Sequence, residues 1–355
     1  MNAEPLRVLI VDDSRIFRGV IEEELATRHD VRVVGSVWSG EKAIEFIRAN
    51  PVDLVTLDIQ MPGIGGIATL KSLRELGRTQ KRTIGVLLIS SFTQQRAPVT
   101  IEGLQEGAFD YIPKPDGPDT AENAQLLRQQ LFAKIDAFRS RRCIEPAAIS
   151  PTGRLTPLPK RPTRFRAVVI GSSTGGPEAL GRLLPALVPF CPVPLFLVQH
   201  LPLNFTEYFA TSLARRSGIR AVEAREGIVA EPGVLYVAQG GKHLVLNKLD
   251  GKIAIGFSES PPENGCRPAA DVLFRSASVA YSGNVLAVVL TGMGSDGAKG
   301  AAVLKRAGAH VIVQDESTSV VWGMPGSVVA EAAAHEVLPI NEIAPALLNQ
   351  LGIEG

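Results

Sequence analysis

Apolar and polar positions follow strand-like and then helix-like patterns five times over the first 139 residues. Short apolar runs rich in β-branched residues predict strands, and the amphipathic segments after them predict helices. The strand-like runs are Arg7–Val11, Val31–Val37, Leu54–Leu57, Ile84–Ile89 and Asp110–Ile112. The helix-like segments begin near Ser14, Gly40, Gly66, Ala97 and Ala121. This alternation predicts an α/β domain in which helices cover both faces of a parallel sheet.

Three apolar runs in the second half of the chain each lead to a residue that can take part in proton or acyl transfer. The run at 166–172 leads through Ser173 into a glycine-rich turn and Pro177, which suits the first turn of a helix. The run at 193–199 leads to His200, and the run at 284–290 leads into a turn that carries Asp296. Residues just past the carboxyl ends of parallel strands line one crevice, so these side chains are expected to meet.

A serine hydroxyl is a poor nucleophile until a base takes its proton, and a histidine oriented by a carboxylate is such a base. Ser173, His200 and Asp296 are therefore a candidate nucleophile, base and orienting acid. Singly, each has a plainer interpretation: a tight or phosphate-binding turn, a packed histidine, and a turn or N-cap residue. Their joint occurrence at three strand ends favours catalysis. A dinucleotide site at Gly171–Gly176 is a weaker alternative, because the Gly-x-Gly-x-x-Gly spacing is absent.

Length and composition narrow the remaining choices. A chain of 355 residues indicates two domains, and the net charge of +1, from 37 basic and 36 acidic residues, gives no general attraction to nucleic acid or anionic lipid. The start has no signal-peptide layout, no apolar stretch approaches a membrane span, and the three cysteines lack metal-ligand spacing. We therefore expect a cytoplasmic protein with no nucleic-acid partner and no direct membrane insertion.

The clearest boundary is a stretch rich in proline, small and basic residues from 140 to 163, which predicts an extended linker. The predicted domains are 1–139 and 164–355. Chemistry-bearing residues follow the strands of the first domain as well. They are Asp12 and Asp13 after the first strand, Asp58 at the end of the third, Ser90 at the end of the fourth and Lys114 after the fifth.

Three carboxylates at one sheet edge repel each other unless a cation lies among them, and oxygen ligands suit Mg²⁺. A carboxylate beside Mg²⁺ and a lysine ammonium can accept a phosphoryl group, because both cations neutralise the charge that develops on it. Singly, an acidic pair at a helix N-terminus and a surface lysine are the plainer interpretations. The match at successive strand ends favours a phosphoryl site.

Residues 1 to about 139 resemble a two-component receiver domain. The matching stretches are Val11-Asp12-Asp13-Ser14-Arg15, Leu57-Asp58-Ile59-Gln60-Met61-Pro62-Gly63, Ser90-Ser91 and Tyr111-Ile112-Pro113-Lys114-Pro115. The resemblance implies a flavodoxin-like, doubly wound parallel sheet and a histidine kinase as phosphodonor. It implies the following roles: Asp58 as phosphoryl acceptor, Asp12 or Asp13 with Asp58 and the Gln60 carbonyl as Mg²⁺ ligands, Ser90 and Lys114 as contacts of the phosphoryl group, and Tyr111 as the aromatic switch.

From about residue 164 the chain resembles the catalytic domain of chemotaxis-type protein-glutamate methylesterases. The matching stretches are 171–176, Gln199-His200, 240–243, 267–274, 291–297 and 323–325. Receiver, linker and esterase stand in that family's order. The resemblance implies a Rossmann-like α/β domain, with no cofactor in the esterase site, that hydrolyses glutamate methyl esters on chemoreceptor cytoplasmic helices, releases methanol and also deamidates glutamines.

The resemblance also implies roles in that reaction. Ser173 attacks the ester carbonyl, His200 acts as base and then acid, and Asp296 fixes the histidine tautomer. Backbone N–H groups at Thr174 and Met293 are candidate oxyanion donors. A catalytically silent docking protein and a small-molecule esterase are the alternatives; the intact triad argues against the first and the fused receiver against the second.

Three positions depart from the family pattern. Cys266 stands where the family usually carries histidine, Gly326 where arginine is common, and Leu201-Pro202-Leu203 where Met-Pro is usual. All three spare the triad but fall in segments expected to border it. Cys266 has no histidine nearby in the sequence, so we expect a small buried thiol there.

Overall fold

The computed structural model describes residues 4–91, 97–115, 120–142, 165–187 and 191–353. Contacts divide the chain into two compact units, Met1–Ser140 and Arg141–Gly355. The linker predicted for 140–163 lies outside the described residues beyond Arg142, where the last helix of the first unit ends. Within the described ranges, no helix combines the length and the apolar character that crossing a membrane requires.

The described part of the first unit holds a parallel sheet whose strands come in the order 2-1-3-4-5. The strands are β1 (Leu6–Val11), β2 (Val31–Val37), β3 (Leu54–Asp58), β4 (Gly85–Ser91) and β5 (Asp110–Lys114). The helices are α1 (Arg15–Ala26), α2 (Gly40–Ala49), α3 (Gly65–Thr79), α4 (Ala97–Gln105) and α5 (Thr120–Arg142). This is the flavodoxin-like doubly wound order, so the predicted fold class is confirmed.

Local sequence explains where the first helix begins. The Ser14 side chain caps α1 by accepting a hydrogen bond from the Phe17 N–H at 3.3 Å. The Asp12 carboxylate accepts from the Ser14 N–H at 2.9 Å, so the strand end and the helix start form one connected turn. The central strand β3 is buried along its whole length, which suits a strand covered by helices on both faces.

The second unit is built around a larger parallel sheet. Its strands are β6 (Ala167–Ser172), β7 (Leu195–Gln199), β8 (Arg220–Glu223), β9 (Val234–Val237), β10 (His243–Leu249), β11 (Lys252–Ser258), β12 (Val285–Val289), β13 (His310–Gln314) and β14 (Glu336–Leu338). Its helices are α6 (Gly176–Leu187), α7 (Leu203–Ser217), α8 (Ala270–Ala280), α9 (Ala298–Arg306), α10 (Gly323–Ala330) and α11 (Ile340–Gln350). In the described residues seven strands form the sheet, in the order 14-13-12-6-7-9-8, and β10 pairs with β11 in a separate hairpin.

The strand order places a topological switch between β12 and β6. From β6 the chain builds outward through β7, and it later returns to build outward on the other side from β12. The strands β12, β6 and β7 are adjacent, parallel and fully buried. Loops that leave opposite faces at a switch open a crevice at the carboxyl ends of the strands, where ligands bind in such folds.

Candidate functional site

Ser173 lies on a tight turn between the end of β6 and the start of α6. Gly175 has a φ of +77°, a left-handed conformation that glycine adopts without strain. The buried Gln199 amide fixes the turn: its Nε2 donates to the Ser173 carbonyl at 2.9 Å, and its Oε1 accepts from Ser172 Oγ at 2.7 Å. The Ser173 carbonyl also accepts from the Gly176 N–H at 2.8 Å. The serine is therefore held at a rigid strand end.

His200 and Asp296 form a direct pair, because His200 Nε2 lies 2.8 Å from Asp296 Oδ2. Asp296 is only 1% exposed. Burial raises its pKa, but hydrogen bonds to the carboxylate outweigh burial and hold the pKa of Asp296 below its ordinary value. Besides His200, the donors are the backbone N–H groups of Ala270, Asp271 and Gly297 and the Nδ2 of Asn264, at 2.6–3.1 Å. Asp296 is thus an ionised, fixed partner for the imidazole.

The charge of Asp296 changes the proton affinity of His200. Burial lowers the pKa of His200, whereas the hydrogen bond to Asp296 and the contact with Cys266 raise it, to about 9. A carboxylate can only accept a hydrogen bond, so Nε2 carries the proton in the neutral ring. The other nitrogen, Nδ1, is the one that remains to take a proton from a nucleophile.

The loop after β12 packs against the serine turn. The Ser173 N–H donates to the Thr291 carbonyl at 3.1 Å, and Thr291 Oγ1 lies 3.0 Å from the Thr174 carbonyl oxygen. Gly292 faces Ser173 so closely that a Cβ at this glycine would lie 2.9 Å from Ser173 Cβ. Met293 follows in the same loop and is exposed. The structure therefore brings the loop with the second candidate oxyanion donor against the turn with the first.

Ser173 Oγ and His200 are not hydrogen-bonded to each other in the described parts of the chain. Instead, the Cys266 sulfur lies 3.5 Å from His200 Nδ1. Cys266 is partly exposed, so the expectation of a small buried thiol is wrong. Cys266 is 66 residues from His200 in the sequence, but the turn that carries it, before α8, lies against the end of β7. Separation in the sequence therefore did not reveal this contact.

Sequence reasoning gave no role to three polar residues that support the site. Gln199 clamps the serine turn, and Asn264 donates from Nδ2 to both Asp296 and Asp271. His243 is buried, accepts from the Ala269 N–H at 3.1 Å and contacts the Pro261 carbonyl at 3.2 Å. A buried polar side chain at a strand end needs hydrogen-bond partners. A structural role for Gln199 and His243 could have been inferred on that ground.

The first unit carries a second cluster of charges, at the carboxyl ends of β1, β3 and β5. The carboxylates of Asp12, Asp13 and Asp58 lie within 4.8 Å of one another. Lys114 Nζ bridges Asp12 Oδ2 at 2.7 Å and Asp58 Oδ2 at 2.8 Å, and it lies 4.6 Å from the centre of the Phe17 ring. Burial raises the pKa of Asp12, and the Lys114 ammonium offsets part of that rise.

The remaining predicted residues of the first unit lie on β4, on β5 and just after β3. Ser90 is buried at the end of β4, beside β3, and its Oγ accepts from Thr100 Oγ1 at 3.1 Å. Gln60 follows Asp58, and its N–H donates to Asp58 Oδ1 at 3.1 Å. Tyr111 lies on β5, and burial raises the pKa of its phenol strongly.

Comparison with known proteins matches two parts of the chain to known families. The sequence pattern of the CheB methylesterase family matches residues 168–347, and that of the response regulator receiver domain matches residues 8–125. A protein-glutamate methylesterase/protein-glutamine glutaminase from Nocardioides sp. is 40% identical, over 98% of this chain and 95% of that protein. The chain belongs to the CheB methylesterase family.

Two further members support the assignment. A protein of the same name from Trichodesmium erythraeum is 40% identical, over 98% of this chain and 99% of that protein. The crystal structure of the Thermotoga maritima CheB methylesterase catalytic domain is 42% identical and has a TM-score of 0.51, covering 52% of this chain and 98% of that one. The expected order of receiver and esterase is therefore confirmed over nearly the whole chain.

The other departures from the family pattern have local structural consequences. Gly326 lies in α10 against the indole of Trp322, and a Cβ there would be 2.9 Å from the ring, so a larger side chain would move it. After His200, Leu201 is buried, whereas Leu203 is 53% exposed at the start of α7. The first leucine is therefore part of the core, whereas the second lies on the surface.

Proposed function

We propose that this protein hydrolyses glutamate methyl esters on chemoreceptor cytoplasmic helices, with Ser173 as nucleophile, His200 as general base and Asp296 as its orienting acid. One observation carries the proposal: the three residues follow the adjacent strands β6, β7 and β12 at the switch point, with His200 already paired to a fixed carboxylate at 2.8 Å. The names of the Nocardioides and Trichodesmium relatives supply the substrate class.

In the first half of the reaction, Ser173 Oγ attacks the ester carbonyl carbon while its proton passes to His200 Nδ1. The imidazolium that forms is stabilised by Asp296. His200 then returns the proton to the methoxy oxygen, the carbon–oxygen bond breaks, and methanol leaves an acyl-serine. The 3.5 Å contact with Cys266 must open first, which agrees with the looser geometry of catalytic hydrogen bonds before substrate binds.

In the second half, His200 takes a proton from water, whose oxygen attacks the acyl carbon. Ser173 leaves with that proton, and the glutamic acid that forms loses its remaining carboxyl proton to solvent to give the carboxylate. Backbone N–H groups of Thr174 and Met293 are the proposed donors to the carbonyl oxygen as it becomes negative. A glutamine side chain would follow the same course with ammonia as the leaving group, as the glutaminase part of the relatives' names suggests.

The receiver is proposed to control this activity. The three carboxylates with the Gln60 carbonyl form an all-oxygen donor set, and Asp12 and Asp58 are buried, so the residues fit Mg²⁺. The bound ion would supply charge neutralisation for phosphoryl transfer to Asp58 from a histidine kinase. Lys114 bonds the acceptor carboxylate and holds it in place. Ser90 on β4 and Tyr111 on β5 lie on the next strands of the sheet, so phosphorylation of Asp58 would change their surroundings.

Substitution of the nucleophile tests the proposal. Ser173→Ala should abolish methanol release from methylated receptor while leaving the unfolding temperature close to that of the wild type, because only one partly exposed hydroxyl is lost. Ser217→Ala is the matched control: its hydroxyl bonds the Leu213 carbonyl at the end of α7, away from the carboxyl ends of the strands. Wild-type turnover by Ser173→Ala would refute the assignment. An inactive wild-type protein that still binds receptor would favour the docking alternative.

A further inference from the structure

The residues from 263 to 266 form a tight turn whose two central residues both have a left-handed backbone conformation. Glu263 and Cys266 exchange two backbone hydrogen bonds, at 3.0 and 2.9 Å, and Asn264 and Gly265 have φ angles of +52° and +74°. Positive φ at both central residues is the type I′ geometry, for which Asn-Gly is the preferred pair. The turn is therefore specified by its own sequence.

Contacts on both sides hold this turn against the site. Arg275 of α8 binds the Glu263 carboxylate at 2.7 Å, and Asn264 Nδ2 lies 3.1 Å from Asp296 Oδ1. The buried His243 contacts the chain at Pro261 and Ala269, just outside the turn. These contacts fix the turn at 263–266 and place Cys266 beside His200. The contact between the two side chains is therefore a feature of the fold.

The thiol contacts the one ring nitrogen that the proposed reaction needs. His200 Nε2 is engaged by Asp296 Oδ2 at 2.8 Å, so only Nδ1 can receive the Ser173 proton. Cys266 Sγ lies 3.5 Å from that Nδ1. We propose that Cys266 is a positioning residue for His200, which occupies Nδ1 in the resting enzyme and competes with Ser173 for it. This inference rests on the roles proposed above for Ser173, His200 and Asp296.

The chemistry of the contact sets its direction in both protonation states. In the neutral ring, Nδ1 is unprotonated and the thiol S–H can donate to the lone pair that must accept the serine proton. In the imidazolium, the sulfur accepts from Nδ1–H and stabilises the charged form. Either form of the contact occupies Nδ1. Because the bond to the imidazolium outweighs the bond to the neutral ring, the contact raises the pKa of His200 and leaves less of the base form near neutral pH. A thiol is a weak donor, so substrate can displace it, and the contact slows the enzyme without blocking it.

The groups that could titrate near His200 are few among the described residues. Asp296, from the loop after β12, and Cys266, from the turn before α8, face the ring directly. Asp271 is linked to Asp296 through Asn264 Nδ2, and the Glu263 carboxylate is bound by Arg275. A variant at Cys266 therefore changes one of the two groups in direct contact and leaves the other in place.

The test is the pH dependence of kcat/KM for methanol release by the full-length enzyme between pH 6 and 10. Cys266→Ala should move the rising limb to lower pH by half a unit or more, which corresponds to about threefold higher kcat/KM on that limb, where the base fraction changes tenfold per unit. Cys266→Val fills a similar volume without a hydrogen-bonding group and should give the same shift. Cys266→Ser keeps a group that can occupy Nδ1 and should stay close to the wild type.

Cys191→Ala is the matched control, because this second free thiol of the described ranges contacts the Val193 carbonyl before β7, at the opposite end of the strand from His200. It should leave the limb unmoved. A lower kcat/KM at every pH in Cys266→Ala and Cys266→Val, with an unmoved limb, would show a merely structural role and overturn the inference. Ser173→Ala is measured in parallel: if it is active, the proposed function fails as well; if it is inactive, an unmoved limb refutes only the role of Cys266.

Discussion

Gly292→Ala offers a severe test of the site geometry with the smallest possible side chain. The added Cβ would lie 2.9 Å from Ser173 Cβ and against the sulfur of Met324. Carbon atoms in contact normally stay about 3.5–4.0 Å apart, so the gap must widen by roughly 0.6 Å or more. The flexible Met324 side chain can yield, but Ser173 is fixed by its backbone bonds to Thr291 and to Gln199.

The expected result is a loss of activity larger than the loss of stability. Overpacking of a buried site typically costs about 1–3 kcal/mol, which lowers the unfolding temperature without preventing folding. A displacement of the nucleophile approaching 1 Å can cost about 10²-fold in rate. We therefore expect kcat for methanol release to fall by about two orders of magnitude, measured on methylated receptor at saturating concentration.

Gly181→Ala is the matched control within the same unit. Gly181 lies inside α6, and a Cβ there would meet no atom within 4 Å. Replacing a glycine inside a helix by alanine should stabilise the protein by about 0.5–1 kcal/mol and leave kcat unchanged. A Gly292→Ala enzyme with wild-type kcat would contradict the placement of Ser173 against this loop, and with it the argument for the serine as nucleophile.

Two further predictions concern charge. Asp58→Asn should abolish the incorporation of label from a phosphodonor in the presence of Mg²⁺, and should remove any stimulation of methanol release by that donor; equal labelling of variant and wild type would place the acceptor elsewhere. The folded-state pKa of His200 is raised from 6.5 to about 9, so the stability contributed by its pair with Asp296 is complete below about pH 6.5 and is lost as the pH rises through about 9. The difference in unfolding temperature between the wild type and His200→Gln should therefore narrow over that range, and a constant difference would refute the coupling.

The fold of the first unit could be predicted closely because each strand and helix has a clear pattern of apolar and polar residues in its own sequence. Every predicted strand of that unit appears, the second with identical bounds, Val31–Val37, and the others within two residues at either end. Apolar runs flanked by turn residues are sufficient for strands that are buried on both faces. The hairpin of β10 and β11 was not predicted, although its turn carries Asp250-Gly251, a type I′ signal. The face opposite Leu244 and Leu246 carries Val245 and Leu249 as well as polar residues, which weakens the alternation.

Only part of the candidate site could be predicted from the sequence. The positions of Ser173, His200 and Asp296 past three strand ends followed from the sequence pattern, because the sheet brings such ends together whatever the loops do. The contact between Cys266 and His200 could not be predicted from the sequence pattern. It depends on the path of one turn across the site, and a pattern along the chain carries no information about where a turn 66 residues away returns.

Asp296 and Asp58, two buried aspartates that follow or end strands, differ in the number of hydrogen bonds that they accept. In the described structure Asp296 accepts five hydrogen bonds, which occupy both of its oxygens and leave it suited only to hold an imidazole. Asp58 accepts from one backbone N–H and one ammonium, so lone pairs remain on each oxygen. A carboxylate with lone pairs to spare can bind a cation and attack phosphorus, and a saturated one cannot. The number of surrounding donors therefore supports the two proposed roles, phosphoryl acceptance for Asp58 and orientation of a base for Asp296.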